Sequence, residues 1–353
     1  MQCRPFSTSI GIGLCLAFFG TVALAAEPAG RWSAQQAWGW MDGRKVYGFN
    51  YNVRTAVNDI EQWQATTFDL KTIDQEFGWA EKIGYTSVRV FLSHTVWLDD
   101  PPGFRQRLGQ FLDTAHRRGQ SVMPVLFSDG EYTGHVGPQP DPVPGVHNSR
   151  AAVAPGFRVA LDPQQWPPLK AFVRDIVGSF RSDDRIIAWD VYNEPGNSPA
   201  GDKLLPMVEA VFQWARDSHP AQPLTAGLWL AYDSPFSQRL IALSDIVTFH
   251  NYESPEKMKK AIRICERASR PVLCTEWLRR QVGNTFAAIL PVFVERKVGW
   301  YQWGLVAGRT QTYFHWGSKP GTPRPTIWQH DLLHADGTPY DAGELELLRK
   351  LNH

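Results

Sequence analysis

The feature that most constrains the fold is a regular alternation of strand-like and helix-like segments along the chain. Eight apolar runs of strand length lie at 45–51, 86–92, 121–127, 185–189, 223–228, 245–250, 270–276 and 298–303. Each is followed by a segment typical of a helix, at 70–83, 103–118, 166–180, 202–218, 235–243, 255–268, 284–296 and 342–351. Strict alternation of this kind is typical of parallel strands, and eight units are the number that closes into a barrel. The sequence therefore predicts an α/β fold, a single-domain (β/α)8 TIM barrel.

Two connections are far longer than the usual loop of such a fold. The first covers 128–165 and contains six prolines, and the second covers 304–341. Loops of this length in compact domains usually carry function. Because both follow strand ends, we expect them on the face of the barrel where active sites lie, walling off part of a cleft. This arrangement favours a substrate that enters the cleft by one end over one that runs through it.

The first 26 residues have the features of a secretory signal peptide. Arg4 precedes the apolar run 10–24, and the small residues Ala23, Ala25 and Ala26 supply a cleavage site. The run is short for a membrane span, and no later apolar run approaches the length that a span needs. We therefore predict a signal peptide at 1–26, a barrel domain at 27–353, secreted or periplasmic localisation, and no membrane attachment after cleavage.

The charge balance bears on the kind of partner. The whole chain has a formal charge of +1, and Arg4 is the only charged side chain of the predicted signal, so the mature chain is neutral (+1 minus +1). Nucleic acid binding rewards a basic surface, so nucleic acid is a poor candidate partner. The charge favours a neutral substrate, and we expect a monomer.

Two cysteines, Cys265 and Cys274, remain after removal of the signal. Strand alternation places Cys274 on the same face as Glu276, pointing into the barrel, whereas Cys265 lies on an outer helix. The sequence therefore predicts that these cysteines do not pair.

Two acids stand at the ends of strands that face each other across such a barrel. Glu194 follows the fourth strand, and Glu276 ends the seventh. A pair of carboxyl groups about 5 to 5.5 Å apart is the arrangement for retaining glycoside hydrolysis, with one acid as nucleophile and the other as acid and base. The competing interpretation is that Asn193 and Glu194 only begin the next helix, with Pro195 in its first turn.

Neighbouring residues predict separate roles for the two acids. A positive charge at Arg89 and a hydroxyl donor at Tyr252 would hold Glu276 ionised, which suits a nucleophile. Glu194 faces that negative charge in a partly desolvated site, so we expect a raised pKa and a role as general acid and base. Asn193 is placed to bind the sugar hydroxyl next to the reacting carbon.

Further substrate-binding residues are predicted at the other strand ends. Indole rings stack well on the apolar face of a sugar, and a buried core role is the alternative for each ring. These candidates are Asn50, His250, Trp229, Trp277 and Trp303.

The pattern of strand ends resembles glycoside hydrolase clan A, and most closely family 5, the cellulase and mannanase group. The motifs that carry the resemblance are Arg89, Asn193-Glu194-Pro195, His250-Asn251-Tyr252, Thr275-Glu276-Trp277 and Trp303. The resemblance implies a secreted retaining β-glycosidase that acts on a polysaccharide or oligosaccharide and uses no metal or organic cofactor. The chain departs from the family after the third strand, where Ser128 and Asp129 stand in place of the usual histidine. This departure leaves the identity of the sugar open.

Three alternatives to a hydrolytic glycosidase remain. A carbohydrate-binding barrel without turnover would keep the same site, and a transglycosylase would use the same two acids. A metal-dependent hydrolase of the amidohydrolase type needs His-x-His at the end of the first strand, where this chain has Asn50-Tyr51-Asn52. His135 and His147 in the first long loop lack the tight spacing of a metal site.

Overall fold

The computed structural model describes residues 29–131, 134–229 and 231–352, so the predicted signal segment at 1–26 lies outside the described residues. Within these ranges the eight strands form one parallel sheet. The strands are β1 Tyr47–Tyr51, β2 Ser87–Phe91, β3 Ser121–Val125, β4 Trp189–Asn193, β5 Leu224–Gly227, β6 Val247–His250, β7 Val272–Glu276 and β8 Gly299–Trp303.

The sheet closes on itself. Strand β1 pairs with β2 on one side and with β8 on the other, which gives the order β5-β4-β3-β2-β1-β8-β7-β6. The two ends meet through Leu228, just after β5, whose N–H donates to the Thr248 carbonyl at 3.1 Å and whose carbonyl accepts from the His250 N–H at 2.6 Å. The predicted (β/α)8 TIM barrel is confirmed.

Helices alternate with the strands, and short capping motifs fix where they begin. Asp69 accepts from the Thr72 N–H at the start of α3, and Asp100 caps α5 through the Gly103 N–H, just before two prolines that fit a first turn. None of the described helices is both long and apolar enough to cross a membrane. The helices are α1 Ala34–Met41, α2 Asp59–Trp63, α3 Leu70–Ile83, α4 His94–Asp99, α5 Pro101–Arg117, α6 Phe157–Ala160, α7 Pro167–Ser179, α8 Leu205–Arg216, α9 Pro235–Leu243, α10 Pro255–Glu266, α11 Phe286–Arg296 and α12 Ala342–Asn352.

Helix α1, which the sequence analysis did not predict, covers the amino-terminal end of the barrel. Ala37 belongs to the cluster that fills this end, together with inward-facing residues such as Met123, Leu273 and Tyr301. The Trp40 indole N–H donates to the Ile187 carbonyl at 3.1 Å. The barrel is thus a packed core closed at its amino-terminal end, and its opposite end is the one available for a site.

The fourth strand lies four residues later than predicted. The segment 185–189 makes only an isolated bridge from Ile186 to Val122, and the regular strand begins at Trp189. The run of apolar residues before Trp189 is buried without continuous strand pairing, which the sequence pattern cannot distinguish from a strand. The shift leaves Asn193 and Glu194 at the carboxyl end, as predicted.

A β-bulge in each of β4 and β7 sets the direction of side chains in the site. Asp190 pairs with Thr225 and Asn193 pairs with Gly227, so β4 contains one extra residue over this interval. In β7, Cys274 and Glu276 pair with consecutive residues of β6, so Thr275 is extra. Bulges of this kind redirect side chains and are frequent beside active sites.

The bulge in β7 corrects the prediction for the cysteines. Cys274 belongs to the outer hydrophobic cluster together with Cys265, whereas its neighbour Leu273 belongs to the inner cluster. Simple alternation failed because the extra residue Thr275 turns Glu276 towards the barrel axis while Cys274 faces the helices. Both thiols are buried and free.

Candidate active site at the carboxyl ends of the strands

The two predicted acids meet across the top of the barrel. Glu194 directly follows β4, and Glu276 is the last residue of β7. One carboxyl oxygen of each and one ring nitrogen of His250 all lie within 4.8 Å of one another. Inverting glycosidases need a wider separation of roughly 6.5 to 9.5 Å, so the spacing matches the retaining arrangement.

The backbone presents Glu194 in an unusual conformation. Its φ angle is +46°, in the left-handed region that residues with a side chain seldom occupy. Its N–H donates to the carbonyl of Gly227 at 3.0 Å, which ties the residue to the neighbouring strand. Local strain of this kind is concentrated at functional sites, because the surrounding structure must hold it in place.

Arg89 organises the floor of the site. Its side chain is fully buried, and one terminal nitrogen donates to Asn50 Oδ1 at 2.6 Å and to Glu276 Oε1 at 2.7 Å. The other terminal nitrogen donates to Asp190 Oδ2 at 2.8 Å and to Asn193 Oδ1 at 2.7 Å. One guanidinium therefore orients side chains from three other strands, and its planar fork suits this task better than a lysine would.

The surroundings of Glu276 favour its charged form over that of its partner acid. Burial raises the pKa of Glu276, and the Arg89 guanidinium at 2.7 Å opposes this rise. The Tyr252 hydroxyl donates to Oε2 at 2.8 Å, and a donor of this kind favours the charged form. In the part of the chain that the structure describes, no guanidinium contacts Glu194 directly. When the two acids share one proton, we therefore place it on Glu194.

Glu194 has the protonation expected of a general acid. Burial raises the pKa of Glu194 to about 7, and a hydrogen bond from Asn197 Nδ2 to Oε2 at 2.6 Å opposes this rise. Its other oxygen lies 2.8 Å from His250 Nδ1. A carboxyl group that is protonated near neutral pH can donate to the oxygen of a leaving group.

His250, a predicted substrate-binding residue, lies between the two acids. Its Nδ1 is 2.8 Å from Glu194 and 3.5 Å from Glu276. Burial lowers the pKa of His250 to about 4, so the ring is neutral at pH 7. Gly227 makes room for this ring, because a Cβ at that position would lie 2.8 Å from His250 Nε2.

The two residues that replace the usual third-strand histidine support β4 and the loop after it. Ser128 Oγ accepts from Asn193 Nδ2 at 3.1 Å, which helps fix the orientation of that amide. Asp129 Oδ2 accepts from the N–H groups of Gly196 and Ser198 at 2.9 and 2.8 Å. The departure from the family pattern therefore leaves the acid pair in place.

Two cavities meet at the acid pair. The larger, here called the main cavity, has a volume of about 450 Å³ and lies towards β5 and β6. The smaller, here called the side pocket, has a volume of about 150 Å³ and lies towards β1 to β3. Both are lined by Glu194, Glu276, Asn148 and Trp303.

The three predicted tryptophans differ in position. Trp303 lines both cavities and Trp229 lines the main cavity, so both can contact a sugar. The prediction for Trp277 was wrong: the ring is fully buried and packs edge-on against Phe286 and Trp300 at centroid distances of 5.2 and 5.7 Å. Trp277 lies in the layer between strands and helices, because the chain turns outward immediately after Glu276.

Four residues around the acids were missed by sequence reasoning. Asp190 could have been noticed as a lone acid within an apolar strand, and Asn197 as an amide three residues after an acid. Trp316 and Asp59 come from loop and helix segments whose position in the site depends on long-range folding. Trp316 lines the main cavity, and Asp59 lines the side pocket.

Among the described residues, Glu194, His250 and Glu276 are the set whose donor atoms could together hold a metal ion. The Arg89 guanidinium contacts Glu276 directly, and a fixed positive charge beside a ligand disfavours a cation there. The geometry suits proton transfer and nucleophilic attack better than metal binding.

Comparisons with known proteins bear on the fold. No protein-family model and no curated protein sequence matches the chain. Solved structures do match, and one is an exo-β-1,4-mannosidase from the Opitutaceae bacterium strain TAV5, with a TM-score of 0.63 and 18% identity. The match covers 88% of this chain but only 59% of the mannosidase chain.

Two further similar structures have nearly the same length as this chain. An endo-1,4-β-D-mannanase from Thermotoga petrophila has a TM-score of 0.57 and 15% identity, over 88% of this chain and 99% of the other. A glycoside hydrolase family 5 mannosidase from Rhizomucor miehei has a TM-score of 0.55 and 13% identity, over 87% and 92%. The chain therefore has the barrel fold of family 5 glycoside hydrolases, which confirms at the level of fold the resemblance seen in the motifs.

Proposed function

We propose that the protein is a retaining β-glycosidase that hydrolyses O-glycosidic bonds of a neutral oligosaccharide or polysaccharide. The observation that carries the proposal is the pair Glu194 and Glu276, with carboxyl oxygens within 4.8 Å of each other and unequal surroundings. Glu276 accepts hydrogen bonds from the Arg89 guanidinium and the Tyr252 hydroxyl, whereas burial raises the pKa of Glu194 to about 7. This asymmetry is what double displacement requires.

In the first step, a carboxylate oxygen of Glu276 attacks the anomeric carbon while the bond to the leaving oxygen breaks. Glu194 gives its proton to that oxygen, so the aglycone leaves as a neutral alcohol. Asn193 has a second amide hydrogen available besides the one that it donates to Ser128, and this hydrogen can bind the sugar hydroxyl next to the reacting carbon.

In the second step, a water molecule takes the place of the aglycone. Glu194, now a carboxylate, removes a proton from the water as its oxygen attacks the anomeric carbon. The bond from that carbon to Glu276 breaks, and the nucleophile is restored as a carboxylate. Two inversions give a product with the β configuration of the substrate.

The similar structures suggest where to begin a substrate screen. Three of them are described as mannosidases or mannanases, so β-mannosides are the first class to test. We also propose that the chain is exported, because residues 1–26 have the composition of a secretory signal. A neutral extracellular glycan is compatible with the neutral charge of the mature chain.

Separate removal of each acid tests the proposal. We expect Glu276→Ala and Glu194→Ala to lose activity on an activated aryl β-glycoside by at least about 100-fold, since each removes a group that acts in the transition state. Added azide should restore turnover in both variants. The glycosyl azide should be inverted from Glu276→Ala and retained from Glu194→Ala, as measured by proton NMR.

Glu256→Ala is a suitable control, because Glu256 is an exposed glutamate at the start of α10. It should keep wild-type activity, and thermal unfolding should show that all three variants are folded. Near wild-type hydrolysis by either active-site variant would refute the two-glutamate mechanism.

The same measurements separate the competing functions. A carbohydrate-binding protein without turnover would bind sugars but hydrolyse none of the aryl β-glycosides. A transglycosylase would form longer oligosaccharides in preference to free sugar at moderate substrate concentration. A metal-dependent hydrolase would lose its activity to a chelator, whereas the proposed mechanism predicts no effect.

A further inference from the structure

The side pocket contains a carboxyl group that the proposed mechanism does not use. Asp59, the first residue of α2, lines this pocket together with the catalytic Glu194 and Glu276. One oxygen of Asp59 accepts from Asn52 Nδ2 at 3.0 Å. Burying a carboxyl group is costly unless it gains hydrogen bonds, so its position beside the reaction centre calls for a role.

The position of Asn193 indicates which part of the substrate enters the side pocket. Asn193 lines the side pocket, and its amide is placed for the hydroxyl next to the anomeric carbon. Asn197 and Trp229 line the main cavity, on the other side of the proton donor Glu194. The sugar that is transferred therefore occupies the side pocket, and the leaving group occupies the main cavity.

The volume of the side pocket matches one sugar ring. An engineered cavity of about 150 Å³ in another protein accepts a benzene molecule, which is a ring of six heavy atoms. The side pocket has the same volume, about 150 Å³. A sugar unit with its hydroxyl groups is larger than benzene, so this space holds one unit at most.

The two long loops bond to each other around this pocket. The Asn148 N–H donates to the Thr310 carbonyl at 2.8 Å, and both residues line the pocket. Gln311 accepts from the Gly145 N–H at 3.1 Å and donates to the Val143 carbonyl at 2.9 Å. These bonds join the two long loops into a wall beside the pocket.

A third segment joins this wall. Asn58, the residue before Asp59, donates from Nδ2 to Gln139 Oε1 at 2.9 Å and to the Arg150 carbonyl at 3.0 Å. The loop after β1 is thereby fastened to the first long loop. Asp59 is held against the pocket by these contacts of Asn58 and by its own hydrogen bond from Asn52.

We propose that Asp59 is a specificity-determining residue, whose carboxyl group accepts hydrogen bonds from hydroxyls of the terminal non-reducing sugar. In this arrangement the wall of the two long loops ends the pocket after one sugar, so the enzyme is exo-acting and releases one sugar per cleavage. The inference rests on the proposed glycosidase function and adds the direction and the length of the bound glycan. Hydrogen bonds from neutral hydroxyls to a carboxylate are stronger than those between neutral groups, so one such residue can select a glycone.

Binding of a sugar should change the ionisation of Asp59. Burial raises the pKa of Asp59 to about 7, and the hydrogen bond from Asn52 opposes the rise. Hydroxyl donors of a bound sugar would lower this raised pKa and shift Asp59 towards the carboxylate. A negatively charged sugar in the same place would be repelled by the carboxylate of Glu276 and by the ionised form of Asp59.

The first test uses the variant Asp59→Asn in the mature full-length chain. Asparagine keeps the shape but removes the negative charge and one acceptor. We expect kcat/KM for aryl β-glycosides of the preferred sugar to fall at least tenfold. The exposed Asp99 at the end of α4 gives the control Asp99→Asn, which carries the same charge change and should retain wild-type values.

A second readout distinguishes hydroxyl recognition from a structural effect. Glycosides that lack the hydroxyl at C3, C4 or C6 should react more slowly than the parent with the wild-type enzyme. For the hydroxyl that Asp59 binds, this penalty should be lost in Asp59→Asn. If Asp59→Asn keeps kcat/KM within twofold, or keeps every deoxy penalty, the assignment of Asp59 is wrong.

The pattern of products tests whether the side pocket accepts only one sugar. A hexasaccharide labelled at its reducing end should give a monosaccharide and a labelled pentasaccharide in the first turnovers. Early labelled disaccharides and trisaccharides would overturn the exo assignment while leaving the glycosidase proposal intact. Absence of hydrolysis by the wild-type chain on every β-glycoside would instead refute the glycosidase proposal itself.

Discussion

At the level of single side chains, the chemistry follows from the different partners of two similar acids. Glu194 and Glu276 are carboxyl groups of the same residue type, the first partly buried and the second buried. Arg89 and Tyr252 contact Glu276, whereas Asn197 and a neutral His250 contact Glu194. The pair can therefore hold one proton on Glu194 over the pH range in which Glu276 is ionised.

The basic limb of the pH profile should report Glu194. Activity requires the protonated form of this acid, so kcat/KM should fall as the pH rises above about 7, the value to which burial raises the pKa of Glu194. The Asn197 hydrogen bond favours the carboxylate, so Asn197→Ala should move this limb to higher pH. The measurement is kcat/KM against pH for both enzymes, and a limb unchanged by Asn197→Ala would argue against Glu194 as the titrating acid.

At the level of strands and loops, bulges and cross-loop hydrogen bonds shape the site. The extra residue in β4 lets Asp190 and Asn193 both reach Arg89, although simple alternation would place them on opposite faces. The extra residue in β7 turns Glu276 to the axis. The loops at 128–165 and 304–341 then enclose the acids through bonds such as that from Asn148 to Thr310.

The contact between the two long loops should weaken when the side chain of Gln311 is truncated. Gln311→Ala removes one donor and one acceptor between the loops, and each such bond contributes about 1 kcal/mol. We expect faster hydrogen exchange at residues 143–148 and a higher KM for single-sugar glycosides. Gln164→Ala, at an exposed position, is the control. Unchanged exchange at 143–148 would show that these bonds do not hold the wall.

At the level of the whole chain, the sequence predicts the barrel better than it predicts details of the site. Eight alternating units and the acids at two strand ends follow from local patterns, and the structure places Glu194 and Glu276 together. Trp277 was misplaced because the direction of a side chain at a strand end depends on a bulge that local pattern does not show. Asp59 was missed because its place in the site depends on contacts between segments distant in sequence.

The most direct measurement of the central claim is the stereochemistry of the first product, followed by proton NMR during hydrolysis of an aryl β-glycoside. Two carboxyl groups with oxygens within 4.8 Å leave little room for a water between them and the sugar, so attack by Glu276 must come first. We predict that the β anomer of the free sugar appears first and that the α anomer follows only by mutarotation. An α anomer as the first product would contradict the double-displacement mechanism.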